Sequence, residues 1–294
     1  MKKRPLLIGL LVFGMLAFIF FLWVYNTTVI TESPMFTDDR IALIRIEGVI
    51  LDSKDTIDEL KRYRENPAIK AILLRIDSPG GAVVPSQEIY EEIKKAREGG
   101  KKKVVSSMGT LAASGGYYIA SASDKIVANP GTLTGSIGVI MELANVEGLM
   151  KKIGVESMVI KSGTHKDLAS PFRKMRKEER QILQNVMDDV HEQFIQVVSE
   201  GRGMSISKVR SLADGRIFTG RQARQIGLVD ELGDLQDAIR ITASLVGIKG
   251  EPKLVETKKR FSFIDLFRDQ FGGKWGAFPL MPGAIQLKYL LTLG

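Results

Sequence analysis

The chain has 294 residues, of which 44% are hydrophobic and 26% are charged, so it can bury a core and is neither disordered nor of low complexity. It contains no cysteine, which excludes a disulfide framework, a thiolate metal site and a cysteine nucleophile. The formal net charge is +8, but most of the excess lies at the two ends of the chain, which favours contact with a membrane surface over a nucleic-acid groove.

The N-terminal residues predict a membrane anchor. Residues 5–25 contain no charged side chain, and a helix rising about 1.5 Å per residue reaches roughly 30 Å over such a length, the thickness of a bilayer core. The basic residues in 1–4 are expected to stay in the cytoplasm, which places the rest of the chain on the outer face of a bacterial cytoplasmic membrane. No small-x-small cleavage site follows, so we expect an uncleaved single-pass anchor and a linker over 26–39. A long cleavable signal peptide is the alternative, and it too would export the domain.

Between residues 40 and 250, strand and helix patterns alternate, which predicts one domain with an α/β fold and a mostly parallel sheet. Apolar residues at helical spacing predict helices around 89–96 and over 177–200. Short apolar runs predict strands at 41–46, 71–76, from 104 onward, 126–128, 137–141 and 157–160.

A glycine pair directly follows the predicted central strand. The sequence Asp-Ser-Pro-Gly-Gly over residues 77–81 lets the backbone approach a ligand closely with its N–H groups exposed. Such a loop can supply an oxyanion-hole donor, but it can equally be a tight turn that needs glycine. Neither a P-loop nor a dinucleotide-binding glycine pattern is present at this turn.

The candidate nucleophile is Ser114, which follows a predicted strand and precedes Gly115. A serine hydroxyl needs an adjacent base, and a lysine can serve if burial keeps it neutral. Lys166 is a candidate, although a surface lysine in a polar loop is the ordinary interpretation. Ser114 could instead cap a helix, but the glycines after it are poor helix formers.

Histidine is the competing base. The chain has two histidines, His165 and His191, and serine hydrolases commonly use an imidazole because its ordinary pKa near 6.5 suits neutral pH. In an extended segment neighbouring side chains point to opposite faces, so His165 and Lys166 cannot both face the serine. His191 falls inside the predicted long helix and is interpreted as a surface or packing residue.

Several motifs in order and in register resemble the signal peptide peptidase A family, in its short, single-domain bacterial type. They lie at residues 77–81, 113–118, 134–138 and 165–167, and the resemblance extends from about residue 40 to 245. It implies that Ser114 is the nucleophile and Lys166 the general base. It further implies that Ser136 orients the lysine, and that the N–H groups of Gly81 and Gly115 form the oxyanion hole.

The resemblance also implies a ClpP/crotonase-like fold without cofactor or metal, and peptidase activity on signal peptides released into the membrane. It implies a ring-like homo-oligomer in which neighbouring subunits complete each active site. Residues 251–294 lie beyond it, and their basic and aromatic composition suits an interfacial helix or an oligomer contact. A catalytically silent membrane scaffold with the same fold, and a serine-histidine hydrolase that uses His165, are the alternatives.

Overall fold

The computed structural model describes residues 13–21, 40–98, 102–257 and 288–291. The chain divides into two compact units, Met1–Asp38 and Asp39–Gly294. In the first unit residues 13–21 form helix α1, and the rest of the predicted anchor and the linker lie outside the described residues. No helix within these described ranges combines the length and the hydropathy needed to cross a bilayer. The anchor over 5–25 therefore stays a prediction.

The second unit alternates strands with helices. The helices are α2 (Lys54–Glu65), α3 (Val83–Arg97), α4 (Gly115–Ala120), α5 (Glu147–Lys152), α6 (Lys177–Arg202), α7 (Ile206–Leu212), α8 (Gly220–Ile226) and α9 (Leu235–Leu245). The strands are β1 (Arg40–Glu47), β2 (Ile69–Ser78), β3 (Gly80–Ala82), β4 (Lys103–Ala113), β5 (Lys125–Ala128), β6 (Leu133–Gly135), β7 (Ile217–Thr219), β8 (Glu231–Leu232), β9 (Lys253–Glu256) and β10 (Lys288–Leu290).

Eight of these strands form one sheet whose centre is parallel. The order β9-β1-β2-β4 is parallel throughout, and β4 pairs in parallel with β5 along its first half and with β6 along its end. Strand β8 adds in parallel to β5, whereas β7 pairs antiparallel with β6. A separate two-stranded antiparallel sheet joins β3 and β10. The prediction of an α/β fold with a mostly parallel sheet is confirmed.

The core lies on both faces of this sheet because successive strand residues point to opposite sides. In β1, Ile44 and Ile46 belong to the larger cluster, which includes residues of α2, α3, α4 and α6. Ile41 and Leu43 face the other way and belong to a second cluster with Ala238 of α9. Each such isoleucine or leucine contributes about 1.5–3 kcal/mol on burial, so this central sheet is a rigid platform for the loops at its ends.

Some predicted elements differ from those observed. The helix predicted over 177–200 is α6, and the strands predicted at 41–46, 71–76 and 126–128 are β1, β2 and β5. The segments 137–141 and 157–160 were predicted as strands, and this is wrong. The first contains only an isolated bridge at Ile140, and the second has no regular structure and is exposed. Ile137 is fully buried in the core without being part of a strand, whereas Met158 and Ile160 of the second segment are exposed.

Candidate active site

The predicted nucleophile and the predicted oxyanion loop follow neighbouring strands at the same edge of the sheet. Strand β2 ends at Ser78 and leads into β3, whereas β4 ends at Ala113 and leads into α4. The two strands are parallel, with Ser78 opposite Ala112, so their carboxyl ends lie side by side. Open α/β sheets bind ligands at this edge.

Ser114 occupies a strained turn between β4 and α4. Its φ of 52° and ψ of −117° lie in a region that residues other than glycine rarely adopt. The residue is 1% exposed, and its Oγ has no hydrogen-bond partner among the described residues. It makes no side-chain capping bond to α4, so the N-cap interpretation has no support. Strain at a sharp strand-to-helix turn is how other hydrolases present a nucleophilic serine.

Ser136 lies beside the backbone of Ser114. Strands β4 and β6 are parallel with Ala113 opposite Gly135, and the Ser114 N–H donates to the Gly135 carbonyl at 2.8 Å. Ser136 follows immediately with a φ of 49° and is 7% exposed. Its own N–H donates to the Arg216 carbonyl at 2.9 Å. The structure therefore brings these two predicted site residues together at the ends of adjacent strands.

Two side chains of the 77–81 motif fix the glycine loop. The Asp77 carboxylate accepts a hydrogen bond from the Leu111 N–H at 3.1 Å, which ties the end of β2 to β4. The Ser78 hydroxyl donates to the Gly48 carbonyl at 2.6 Å and accepts from the Gly80 N–H at 3.1 Å. Sequence reasoning gave Asp77 and Ser78 no role of their own, and their place within the motif is the signal that could have suggested one.

Gly81 and Gly115 approach each other at the level of the backbone. A Cβ built on Gly115 would lie 3.2 Å from the Gly81 nitrogen and 2.7 Å from the Ser86 Oγ. A side chain at 115 would collide with the Ser86 hydroxyl and crowd the Gly81 nitrogen, so glycine fits this position best. Two backbone donors this close to Ser114 are what an oxyanion hole requires. Their roles as donors remain predictions.

Lys166 and His165 lie on an exposed segment. Neither is hydrogen-bonded to Ser114, whose hydroxyl has no partner in the described part of the chain. The His165 Nε2 instead lies 3.7 Å from the Glu178 Oε1. A single chain thus does not bring the predicted serine-lysine pair into contact.

An ion network fixes the residue that follows Lys166. The Arg173 guanidinium donates to the Asp167 carboxylate at 2.8 Å and to the Glu179 carboxylate at 2.5 Å. The Glu179 side chain is fully inaccessible and also accepts from the Arg176 N–H at 2.9 Å. Hydrogen bonds from Arg173 hold the pKa of both carboxyls well below their usual range. The sequence analysis did not predict this network, and no sequence motif indicates it.

Comparison with known proteins identifies the family. The sequence model of peptidase family S49 matches residues 96–249. The chain is 48% identical over 222 residues to "Putative protease slr0021" of Synechocystis sp., covering 75% of this chain and 78% of that protein. It is 37% identical over 248 residues to "Putative signal peptide peptidase SppA" of Enterococcus faecium, covering 79% and 70% respectively. A ClpP1 mutant from Listeria monocytogenes aligns with 67% of this chain and 93% of its own, at 20% identity and a TM-score of 0.46.

The matched region includes four of the five predicted site residues, Ser114, Gly115, Ser136 and Lys166, while Gly81 precedes it. It spans more than half of the chain and contains the strained, buried serine at the end of β4. The resemblance inferred from the motifs is thereby confirmed. The chain belongs to peptidase family S49 and is a serine peptidase.

Proposed function

We propose that this serine peptidase hydrolyses extended apolar peptides through an acyl-enzyme on Ser114, with Lys166 as the general base. The observation that carries the proposal is the Ser114 side chain, which is buried at a strained turn beside Gly81 and Gly115 and has no hydrogen-bond partner among the described residues. A hydroxyl held in this way needs only a base to become a nucleophile.

In the proposed reaction, neutral Lys166 removes the proton from the Ser114 Oγ as that oxygen attacks the peptide carbonyl carbon. The N–H groups of Gly81 and Gly115 stabilise the negative charge on the carbonyl oxygen, and each such donor is worth about 100- to 1000-fold in turnover. The lysine then gives the proton to the departing amine. A water molecule, deprotonated by the same lysine, then attacks the acyl carbon, and the lysine returns that proton to the Ser114 Oγ as the bond to the acyl group breaks. The Ser136 hydroxyl accepts a hydrogen bond that orients the lysine.

In the proposed assembly Lys166 meets the Ser114 of a neighbouring subunit. Lys166 is exposed in its own chain, and the segment that leads to it exposes apolar side chains, with Met158 89% and Ile160 94% exposed. Contiguous exposed apolar residues indicate a contact surface. Identical chains that join head to tail close into a ring when the rotation permits, so one contact would complete every active site.

Mixing two inactive variants tests this arrangement. We expect Ser114→Ala and Lys166→Ala proteins to be inactive alone and to recover activity when they are co-expressed in one assembly. With random mixing at equal amounts, about a quarter of the shared sites would receive an intact serine and an intact lysine. Absence of any recovery in verified mixed oligomers would place both residues of the site within one chain.

Signal peptides left in the membrane are the substrates we propose. Two observations support this: the apolar N-terminal stretch over 5–25, and the resemblance to signal peptide peptidase A. An anchored peptidase on the outer face of the cytoplasmic membrane would meet such peptides where they are released.

Intact mass measurement of the purified protein should give an N-terminus at or near Met1, and added protease should digest the catalytic domain from outside. A mature N-terminus near Thr27 would overturn the anchor but not the peptidase.

A further inference from the structure

Strand β4, which leads to Ser114, changes its neighbour before it reaches that residue. Along residues 105–108 it pairs with β5, and along 111–113 it pairs with β6. On its other side Met108 lies opposite Ile76 and Ala112 opposite Ser78, so four residue steps of β4 face two steps of β2. Such a bulge bends a strand and re-aims side chains next to active sites. The bulge therefore sets the course of β4 toward Ser114.

Three side chains from neighbouring elements bond to the backbone of this bulge. The Asp77 carboxylate accepts a backbone N–H of β4 at 3.1 Å. The Thr132 hydroxyl donates to the Gly109 carbonyl at 2.7 Å, and the Thr134 hydroxyl donates to the Ala112 carbonyl at 2.6 Å. Both threonines are buried, at 2% and 0% exposure. Since a bulge disrupts the regular ladder, these side chains supply partners that its backbone groups would otherwise lack.

Thr134 makes the side-chain bond that lies nearest to Ser114 along β4. Its hydroxyl bonds to Ala112, two residues before Ser114, and the next residue of β6, Gly135, accepts the Ser114 N–H at 2.8 Å. Two consecutive residues of β6 thus bond on either side of Ala113. The backbone of Ser114 is strained, and strain of this kind persists only where the surrounding structure over-determines it. The bond from Thr134 is part of what holds the strained turn.

The same bond links the other two parts of the site. Ala112, which accepts it, lies between Ser78 of the glycine loop on one side and Thr134 on the other. Ser136, the residue expected to orient the lysine, follows two positions after Thr134. A shift of the end of β4 would therefore change its distance from both the predicted oxyanion donors and Ser136.

We propose that Thr134 is a positioning residue for the nucleophile. Its hydroxyl, supported by Thr132 and Asp77, holds the bulged end of β4 so that the Ser114 Oγ meets the reacting carbonyl at the right distance and angle. The proposal rests on the proposed function of Ser114 and adds a residue that touches neither the substrate nor the reacting atoms. It follows that loss of the hydroxyl slows acylation of Ser114 and leaves peptide binding nearly unchanged.

Two substitutions at this position separate the hydroxyl from the rest of the side chain. Thr134→Val removes the hydroxyl and keeps the branched shape, whereas Thr134→Ser keeps the hydroxyl. The measurements are the rate at which a serine-reactive fluorophosphonate labels Ser114, and kcat and KM on an apolar peptide. We expect Thr134→Val to lower the labelling rate and kcat by about 10- to 100-fold, with KM within about twofold of wild type. Thr134→Ser should recover most of both rates.

The matched control is Thr242→Val in α9. Thr242 is also 0% exposed, and its hydroxyl donates to the Ala238 carbonyl at 2.6 Å. Ala238 belongs to the core cluster on the other face of the sheet. Both valine variants lose one buried hydrogen bond to a backbone carbonyl, so both should lower Tm by a similar amount. Only Thr134→Val should slow labelling. Equal slowing in the two variants would mean that Thr134 acts through general stability, and it would overturn the proposal.

The remaining outcomes decide between this proposal and the proposed function. A wild-type labelling rate and kcat in folded Thr134→Val would overturn the positioning role alone, as would a Thr134→Ser protein as slow as Thr134→Val. If Thr134→Val loses its cooperative thermal transition, Thr132→Val decides: slowed labelling supports the proposal, and a wild-type rate overturns it. No labelling of Ser114 in the wild-type chain would overturn the proposed function as well.

Discussion

The N–H of Ser114 donates a 2.8 Å hydrogen bond to the carbonyl of Gly135, and this bond sets Ser136 beside Ser114. Both serines have a positive φ and both are buried, although they come from different strands. Because β4 and β6 are parallel neighbours, their carboxyl ends converge on one side of the sheet. The backbones of the two serines therefore meet at this corner of the sheet.

Replacement of Ser136 by alanine should lower turnover while leaving the fold intact. If its hydroxyl holds the lysine, loss of a hydrogen bond to a charged or titrating partner should cost about 10- to 100-fold in kcat, with little change in KM. Steady-state kinetics on an apolar peptide measure the effect. Ser211→Ala, in an exposed serine of α7, is the matched control and should be neutral. Unchanged kcat in Ser136→Ala would leave Ser136 as a turn residue only.

Ser78→Ala tests the oxyanion loop without adding atoms to it. Substitution of Gly81 itself is unsuitable because a Cβ there would lie 2.0 Å from the Ile50 carbonyl oxygen. Loss of the Ser78 hydroxyl releases the Gly80 N–H and the Gly48 carbonyl, so the loop should lose its fixed position. We expect kcat and the affinity for a peptide aldehyde, which forms a tetrahedral adduct, to fall together by about tenfold.

The control for this variant is Ser106→Ala, which removes an equally buried hydroxyl paired with Ser123 at 2.7 Å within the sheet. Both substitutions should lower the free energy of unfolding by about 1–3 kcal/mol. Only Ser78→Ala should weaken aldehyde binding. Equal effects of the two variants on aldehyde affinity would mean that the loop acts through general stability.

The regular elements of this fold could be predicted because their signals are local. Strands β1 and β2 are short apolar runs, and Ile89, Ile93 and Ala96 mark the buried side of α3 at helical spacing. In α6 the helical spacing of apolar residues predicted the buried side less accurately, since Val190 is buried but Val186 is 41% exposed. The periodicity identified the helix correctly, and the tertiary contacts decided which of its apolar residues are covered.

Only those residues of the candidate site that lie in recognisable motifs could be predicted from the sequence. The order of the strands in the sheet brings Ser114, Ser136 and the glycine loop together. The sequence predicted this proximity only through the resemblance to a known family, since the spacing of the motifs alone does not indicate it. The pairing of Tyr289 with Gly81 joins residues from distant parts of the chain, and no local pattern encodes such a contact. The apolar run around Tyr289 at the end of the chain is the one signal that could have suggested a strand. The segment 157–160 shows the opposite error, because this apolar run is exposed and forms no strand with the described residues.

Arg173→Ala should destabilise the protein in a pH-dependent way. Asp167 and Glu179 have lowered pKa values in the folded state, chiefly because of their hydrogen bonds with Arg173. A lowered folded pKa stabilises the native state above the ordinary carboxyl pKa near 4, and this contribution is lost as pH falls toward the folded value. We expect Tm to drop by at least about 5 °C at pH 7, and the difference from wild type to shrink between about pH 5 and pH 3.

The control for that experiment is Arg216→Ala, which breaks an exposed pair with Asp214. The hydrogen bond with Arg216 lowers the pKa of Asp214 to about 2, yet the pair lies in water. Its loss should change Tm by less than about 2 °C. A drop for Arg173→Ala that is equal at every pH would mean that the arginine acts through packing and not through charge.

The final prediction separates lysine from histidine as the base. Ser114→Ala and Lys166→Ala should each abolish peptidase activity, and the double variant should be no worse than either single one, because a nucleophile and its base act as a unit. His165→Ala should keep most activity, since its ring faces Glu178 at 3.7 Å in this chain.

A lysine base also predicts that kcat/KM rises into the alkaline range, because the ammonium must lose its proton before it can act. With an imidazole base the rise would instead be complete near pH 7 to 8. Active Lys166→Ala together with inactive His165→Ala and the lower pH midpoint would assign the base to His165.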